Sequence, residues 1–225
     1  MRKPRGFTLI EMATAALVLA TLSALAVAGM RGIRQRGSFA SATGDVIGGL
    51  RLARAEASGR GQAVYYIIDT NVATDALGNV TEPRWWVLLD IGGDFNFTAW
   101  DPNNPMGLGD KVLSSGIFPL GVTISAPSGY PQALPAPYQL IPVAGSSIPA
   151  TPAYCSFCLT AGPLTNYGWV RFAPGASPSA TFSGTNTSAF GQQLTVYTNS
   201  SSKNFMMVVA ILARSGAIYS TPQAL

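Results

Sequence analysis

Glu11 is the one charged side chain at the near edge of an otherwise uncharged apolar run, residues 12–30. An ionisable group inside a membrane-length segment is costly, and chains that keep one use it to pair with something. Cys155 and Cys158 are the only cysteines, spaced C-x-x-C. Three chemistries fit that spacing: a structural disulfide, a thioredoxin-like redox pair, or half of a zinc site. A third group is the acid- and amide-rich stretch Asp90, Asp94, Asn96, Asp101, Asn103, Asn104 and Asp110. Oxygen donors of this kind suit Ca²⁺, but their spacing matches no EF-hand, and Asp and Asn are also ordinary turn formers. The chain has no histidine. That removes Ser-His-Asp and Cys-His nucleophile systems and His-based metal sites. No Gly-rich phosphate loop stands between a strand and a helix. No catalytic residue, metal site or cofactor is assigned from the sequence.

These groups need elements to position them. Residues 7 to about 58 read as one helix, roughly 78 Å long at 1.5 Å per residue. Its first half, 12–30, covers roughly 28 Å, close to the hydrocarbon thickness of a bilayer. Ala, Thr14, Thr21 and Ser23 make it rich in small residues, which permit close helix–helix approach in lipid. It contains no proline, so Gly29 and Gly32 are the expected places for bending. In the second half Val46, Leu50, Ala53 and Ala57 recur at helical spacing and form one apolar stripe that should face a sheet. Glu56 and Arg60 form an i,i+4 pair in the favourable order. Gly48-Gly49 is poor helix chemistry, at roughly 1 kcal/mol per Gly. A close contact with a strand would explain it.

From Gly61 the period changes to two. The expected strands are 63–69, 84–90, 111–113, 121–125, 168–172, 193–198 and 205–214, separated by Gly, Asn, Asp and Pro clusters. Gly78-Asn79 suits the turn of a long hairpin between the first two. Residues 126–163 are rich in Pro and Ser and read as a long loop. Such a loop is expected to contribute little to a core, so its removal should impair partner capture more than folding. Trp85, Trp86, Trp100 and Tyr130 could serve a partner interface, although core packing accounts for most of them. Trp85 and Trp86 are adjacent in a strand, so one should face the core and one outward.

Charge sets further bounds. Of the 225 residues only 11% are charged, below the usual quarter. Gly, Pro, Ser and Thr replace them, which suits a loop-rich β head outside the cytoplasm. The formal net charge is +4. Three of the fourteen basic residues, Arg2, Lys3 and Arg5, precede Gly6, and Arg31, Arg34 and Arg36 follow the apolar run. From Gly37 onward eight basic residues face nine acidic ones. The head therefore lacks a footprint for nucleic acid. The Arg31–Arg36 cluster could meet lipid head groups, acidic side chains of a neighbour, or only water.

The leader is not an ordinary secretory signal, in which the cleavage site follows the apolar region. Here Gly6 precedes it. Arg5-Gly6-Phe7-Thr8-Leu9-Ile10-Glu11 with its basic leader resembles the class III signal of type IV prepilins and pseudopilins. The resemblance implies that a prepilin peptidase cuts between Gly6 and Phe7 on the cytoplasmic side. It implies N-methylation of Phe7, and a Glu11, then the fifth mature residue, that pairs with the terminal amine of a neighbouring subunit. A second resemblance spans more of the chain. Residues 50–57, Arg60 and the strand 63–68, with Val170-Arg171-Phe172-Ala173-Pro174-Gly175 and the closing 205–218 segment, are similar to the GspH/FimT minor pseudopilins and minor pilins. Residues 126–163 depart from its shorter members.

The expected fold class is α+β: a long N-terminal helix, half membrane-spanning and half amphipathic, packed on a β-rich pilin-like head. Its parts are a cleaved leader 1–6, a transmembrane half 7–30, a soluble half 31–60 and a head 61–225. The expected function is that of a minor pilin or pseudopilin, a structural subunit that starts or caps a type IV pilus or a type II secretion pseudopilus. The alternative is a DNA-binding minor pilin for DNA uptake, for which the C-terminal region offers only Lys203 and Arg214. Expected partners are other minor and major pilins or pseudopilins, the prepilin peptidase and the inner-membrane assembly platform. The expected location is the bacterial inner membrane, single-pass with a periplasmic head, and then the filament. In that oxidising compartment a disulfide is the favoured state of Cys155 and Cys158.

Overall fold

A computed structural model describes residues 8–71, 73–74, 80–106, 109–125, 134–141, 154–159, 162–183, 190–198 and 204–223. The first element, α1 (Leu9–Arg60), is a continuous helix of 52 residues. It runs through Gly29 and Gly32 and stops where Gly61 turns into the left-handed region at φ 66°, a conformation that costs glycine no Cβ clash. Among the described residues eleven strands follow: β1 (Val64–Asp69), β2 (Ala73–Thr74), β3 (Val80–Thr81), β4 (Arg84–Leu89), β5 (Lys111–Ile117), β6 (Val122–Thr123), β7 (Tyr167–Phe172), β8 (Ala180–Phe182), β9 (Gly191–Thr198), β10 (Phe205–Leu212) and β11 (Ile218–Gln223). One sheet has the order β5-β4-β1-β7-β8 and a second the order β11-β10-β9-β6. Every pairing is antiparallel. β2 and β3 pair with each other between β1 and β4. The turn expected at Gly78-Asn79 lies outside the described residues.

The apolar stripe of α1 does what its spacing demands. Val46, Leu50, Ala53 and Ala57, with Ala42, are fully buried in one core with Val64, Tyr66 and Ile68 of β1, Trp85, Val87 and Leu89 of β4, and Leu194, Val196, Val209 and Ile211 of the second sheet. Truncating Leu50 to Ala in such a site costs about 2–5 kcal/mol. Glu56 and Arg60 form the expected ion pair on the outer face.

The two adjacent glycines separate cleanly. A Cβ on Gly49 would lie 2.7 Å from the Tyr66 ring and 3.3 Å from the Trp85 ring, whereas one on Gly48 meets nothing within 4 Å. Tyr66 is fully buried and its ring stacks on Trp85, so it cannot yield. Gly49 is thus the close approach of helix to sheet. We expect Gly48→Ala to stabilise the chain by about 0.5–1 kcal/mol through helix propensity. Gly49→Leu should destabilise it by about 1–3 kcal/mol or more through overpacking. Urea melts of the detergent-solubilised chain distinguish the two; equal effects of both would contradict this packing.

Both faces of the first sheet are covered. Tyr65, Ile67, Trp86 and Leu88 point away from α1 into a second cluster with Phe97 and Trp100 of the loop between β4 and β5. Trp86 meets Trp100 edge-on with ring centroids 5.2 Å apart. Trp85 and Trp86 do lie on opposite faces, as adjacency in a strand requires, but both are buried, and so is Trp100. The outward-facing tryptophan expected from the sequence is roofed by its own loop. Tyr130 lies outside the described residues.

Segment 126–163 also departs from expectation. Two described stretches of it are built into the fold. Leu134 and Ile141 are buried against Val208 and Ala210 of β10, and Tyr138 stacks on Tyr219 of β11 at 4.2 Å. Cys155, Phe157 and Cys158 sit inside the main core. Pro and Ser obscure its few apolar anchors in the sequence. Its removal would take out core side chains, so folding would be lost with it.

Candidate functional site

Among the described residues, the side chains of α1 from Leu9 to Met30 are exposed. Leu9, Ile10, Met12, Leu17, Leu19, Leu22, Leu25 and Met30 are each more than half exposed. Among the described residues α1 is the one helix long and apolar enough to cross a membrane, and none of its most apolar window is buried. So large a continuous apolar surface requires lipid or other protein around it. Its few hydroxyls are satisfied internally. Thr14 donates to the Glu11 carbonyl at 3.0 Å, Thr21 to Val18 at 2.9 Å and Ser23 to Leu19 at 2.7 Å. These three hydroxyls therefore need no water, which suits a low-dielectric surround.

Glu11 sits in the first turn with its partners defined. Thr8 is the N-cap: its hydroxyl oxygen accepts from the Glu11 backbone N–H at 3.3 Å. The Glu11 carboxylate in turn accepts from the Thr8 N–H at 2.7 Å and from the Thr8 hydroxyl at 2.8 Å. This is a reciprocal capping box. It leaves the carboxylate at the helix N-terminus, where the free backbone N–H groups favour negative charge. The sequence assigns Glu11 a partner in a neighbouring subunit; the structure adds Thr8 of its own chain. The Thr-x-x-Glu spacing that signals the cap was present and unused. Gly6 and Phe7 lie outside the described residues.

At the other end of the exposed stretch the chain is anchored to the head. The Arg36 guanidinium lies 5.8 Å above the Phe205 ring, and Phe39 stacks on the same ring at 5.7 Å. Arg36 thus packs on β10 rather than serving only as a solvated charge. Arg34 is exposed, and the Arg31 side chain is outside the described set.

The cysteines resolve in favour of one chemistry. Cys155 and Cys158 form a disulfide. Its place was not foreseen: Cys155 bridges to Leu194 of β9 and Cys158 to Gly168 of β7. The four-residue turn therefore spans both sheets. Ser156 reinforces it, its N–H and its hydroxyl donating to the Gln193 carbonyl at 2.9 and 3.0 Å. Gly168 is required beneath it, since a Cβ there would lie 2.8 Å from Cys158 Sγ. Of the acid-amide stretch, Asn96 caps a short 3₁₀ turn through Thr98 at 3.1 Å, and Asp101 accepts from the Asn103 N–H at 2.9 Å. These two serve as turn formers.

Residues 1–27 match the model of the prokaryotic N-terminal methylation motif, a class III prepilin signal. No curated protein and no solved structure matches the chain. The matched segment ends within the exposed half of α1, and the long helix and β-rich head that follow have the pilin-like arrangement.

Proposed function

We propose that this type IV pilin-like chain is a minor subunit that starts or caps a short filament, in a type IV pilus or a type II secretion pseudopilus. Its role is structural rather than catalytic. One coincidence carries this reading: the methylation motif runs into a helix half whose described apolar side chains are left uncovered by the head. A subunit of that shape is stable in a bilayer or in a bundle of like helices, and can move from one to the other.

In this reading the prepilin peptidase cuts between Gly6 and Phe7 and the new amine is methylated. The helix then holds the subunit in the inner membrane with the head in the periplasm. Glu11 receives the Phe7 amine of a neighbour. The similarity of residues 50–57 and 170–175 to GspH/FimT proteins favours a minor subunit. The size of the head favours a pilus over a secretion filament. A DNA-binding role has less support, because from Gly37 onward acidic residues outnumber basic ones, nine to eight.

The test is fractionation. In cells of the source organism, mechanical shearing should release the tagged chain with a major filament subunit, in substoichiometric amount. A chain found only in membranes under conditions that assemble filaments would contradict the proposal.

A further inference from the structure

The loop between β4 and β5 starts at Asp90 and ends at Asp110, one residue beyond the last pair of the ladder, Leu89 and Lys111. Both carboxylates are buried, and Asp110 is only 5% exposed. Asp94 folds back onto the same point. Its Oδ1 lies over Gly92 so closely that a Cβ there would be 2.5 Å away. One oxygen from each of Asp90, Asp94 and Asp110 falls within 4.8 Å of the others.

Three carboxylates in one place need positive charge or donors, and the protein supplies too few. Asp90 Oδ1 accepts from the Gly93 N–H at 2.7 Å, and Asp110 Oδ1 accepts from the Ile91 N–H at 3.3 Å. Asp110 Oδ2 is buried and has no hydrogen-bond partner. Among the described residues the ion pair present, Glu56–Arg60, is elsewhere. Burial raises the carboxyl pKa of Asp110. The Ile91 N–H opposes that rise, and the charges of Asp90 and Asp94 add to it. An orphaned oxygen inside a trio of like charges is expensive unless something bridges them.

We propose that Asp90, Asp94 and Asp110 hold a calcium ion at the neck of this loop. The donor set selects the class of ion. Three carboxylate oxygens within 4.8 Å of one another are hard ligands for a hard cation. Ca²⁺ takes about six to eight oxygens in flexible geometry, whereas Mg²⁺ demands near-ideal octahedral geometry and dehydrates reluctantly. Water and backbone carbonyls would complete the shell. The ion would join the two ends of a loop whose Phe97 and Trp100 roof Trp86 and Tyr65, and so add to what holds that roof in place. The site is independent of the filament reading, which concerns the opposite part of the chain.

The test uses the full chain in detergent, stripped with a chelator and titrated with calcium chloride, with magnesium chloride in parallel. Calorimetry should show one saturable calcium site in the range typical of extracellular modules, about 10⁻⁴–10⁻³ M. At ten times the Kd, linkage predicts a Tm rise of about 3–6 °C for a chain of this size. Magnesium should act more weakly. Asp110→Asn should remove binding. Asp94→Asn, at an exposed position, should fold normally and lower calcium affinity about tenfold or more. Should Asp110→Asn fail to fold, Asp94→Asn alone decides. No saturable binding up to about 10 mM calcium, or an Asp94→Asn variant with unchanged affinity, would overturn the site.

Discussion

Glu11→Gln is expected to lower incorporation into filaments as severely as Glu11→Ala, by about tenfold or more, while Thr8→Val stays within about twofold of the parent. The three variants separate two roles that one carboxylate could play. Gln at the third helical position still completes a capping box, because it too can accept from the cap residue's N–H. It therefore keeps the first turn and deletes only the charge. Val at position 8 does the reverse, removing the hydroxyl that accepts from the Glu11 N–H and donates to the Glu11 carboxylate, while leaving the charge and the backbone N–H that also donates to it. Membrane insertion should be unchanged or slightly improved in both Glu11 variants, since a charge leaves the apolar segment. Immunoblots of sheared filaments against total membranes give the ratio. Normal assembly of Glu11→Gln with failure of Thr8→Val would show that the carboxylate matters as a cap and not as a charge.

The second large effect concerns the staple between the sheets. Cys155→Ala with Cys158→Ala should cost about 2–4 kcal/mol and lower the urea midpoint accordingly. The closed ring is short, so the entropic part is modest, about 2 kcal/mol. The rest comes from voids beside Leu194 and Phe157 in a core where both sulfurs are almost wholly inaccessible. Two further readouts follow from that burial. Denatured protein without reductant should show no reactive thiol, and dithiothreitol should reduce the native chain only as fast as it unfolds. A double variant that melts with the parent, or rapid reduction of the folded chain, would remove the staple from the account.

What could be read from the sequence was local. The stripe Val46, Leu50, Ala53, Ala57 is set by helical period alone, and the same four residues are buried. β1, β4, β7, β9 and β10 announce themselves by runs of β-branched and aromatic residues. β8 and β11 were missed as strands for a physical reason. Both are edge strands, where Ser, Thr, Ala and Pro222 are tolerated and apolar alternation is not demanded. β5 was cut short at Leu113 because Ser114, Ser115 and Gly116 carry no apolar signal. Gly116 is there to admit the Trp85 indole, which a Cβ would approach to 2.8 Å.

The features that escaped sequence reasoning depend on pairing between distant residues. Nothing near Cys155 indicates that it will meet Leu194 while Cys158 meets Gly168. Asp90 and Asp110 come together only because β4 pairs with β5. The aromatic roof is similar: Trp100 is buried because its loop folds over Trp86. The capping box is the exception, since Thr8 and Glu11 are three residues apart and their spacing alone would have disclosed it.

The central claim is that the chain enters its filament as a processed subunit beginning at Phe7. Intact-mass measurement of the chain purified from cells of the source organism tests it most directly. The account predicts loss of residues 1–6 and the added mass of one methyl group, located on the Phe7 amine by fragmentation. A membrane-inserted chain that retains Met1 and carries no methyl group would contradict it.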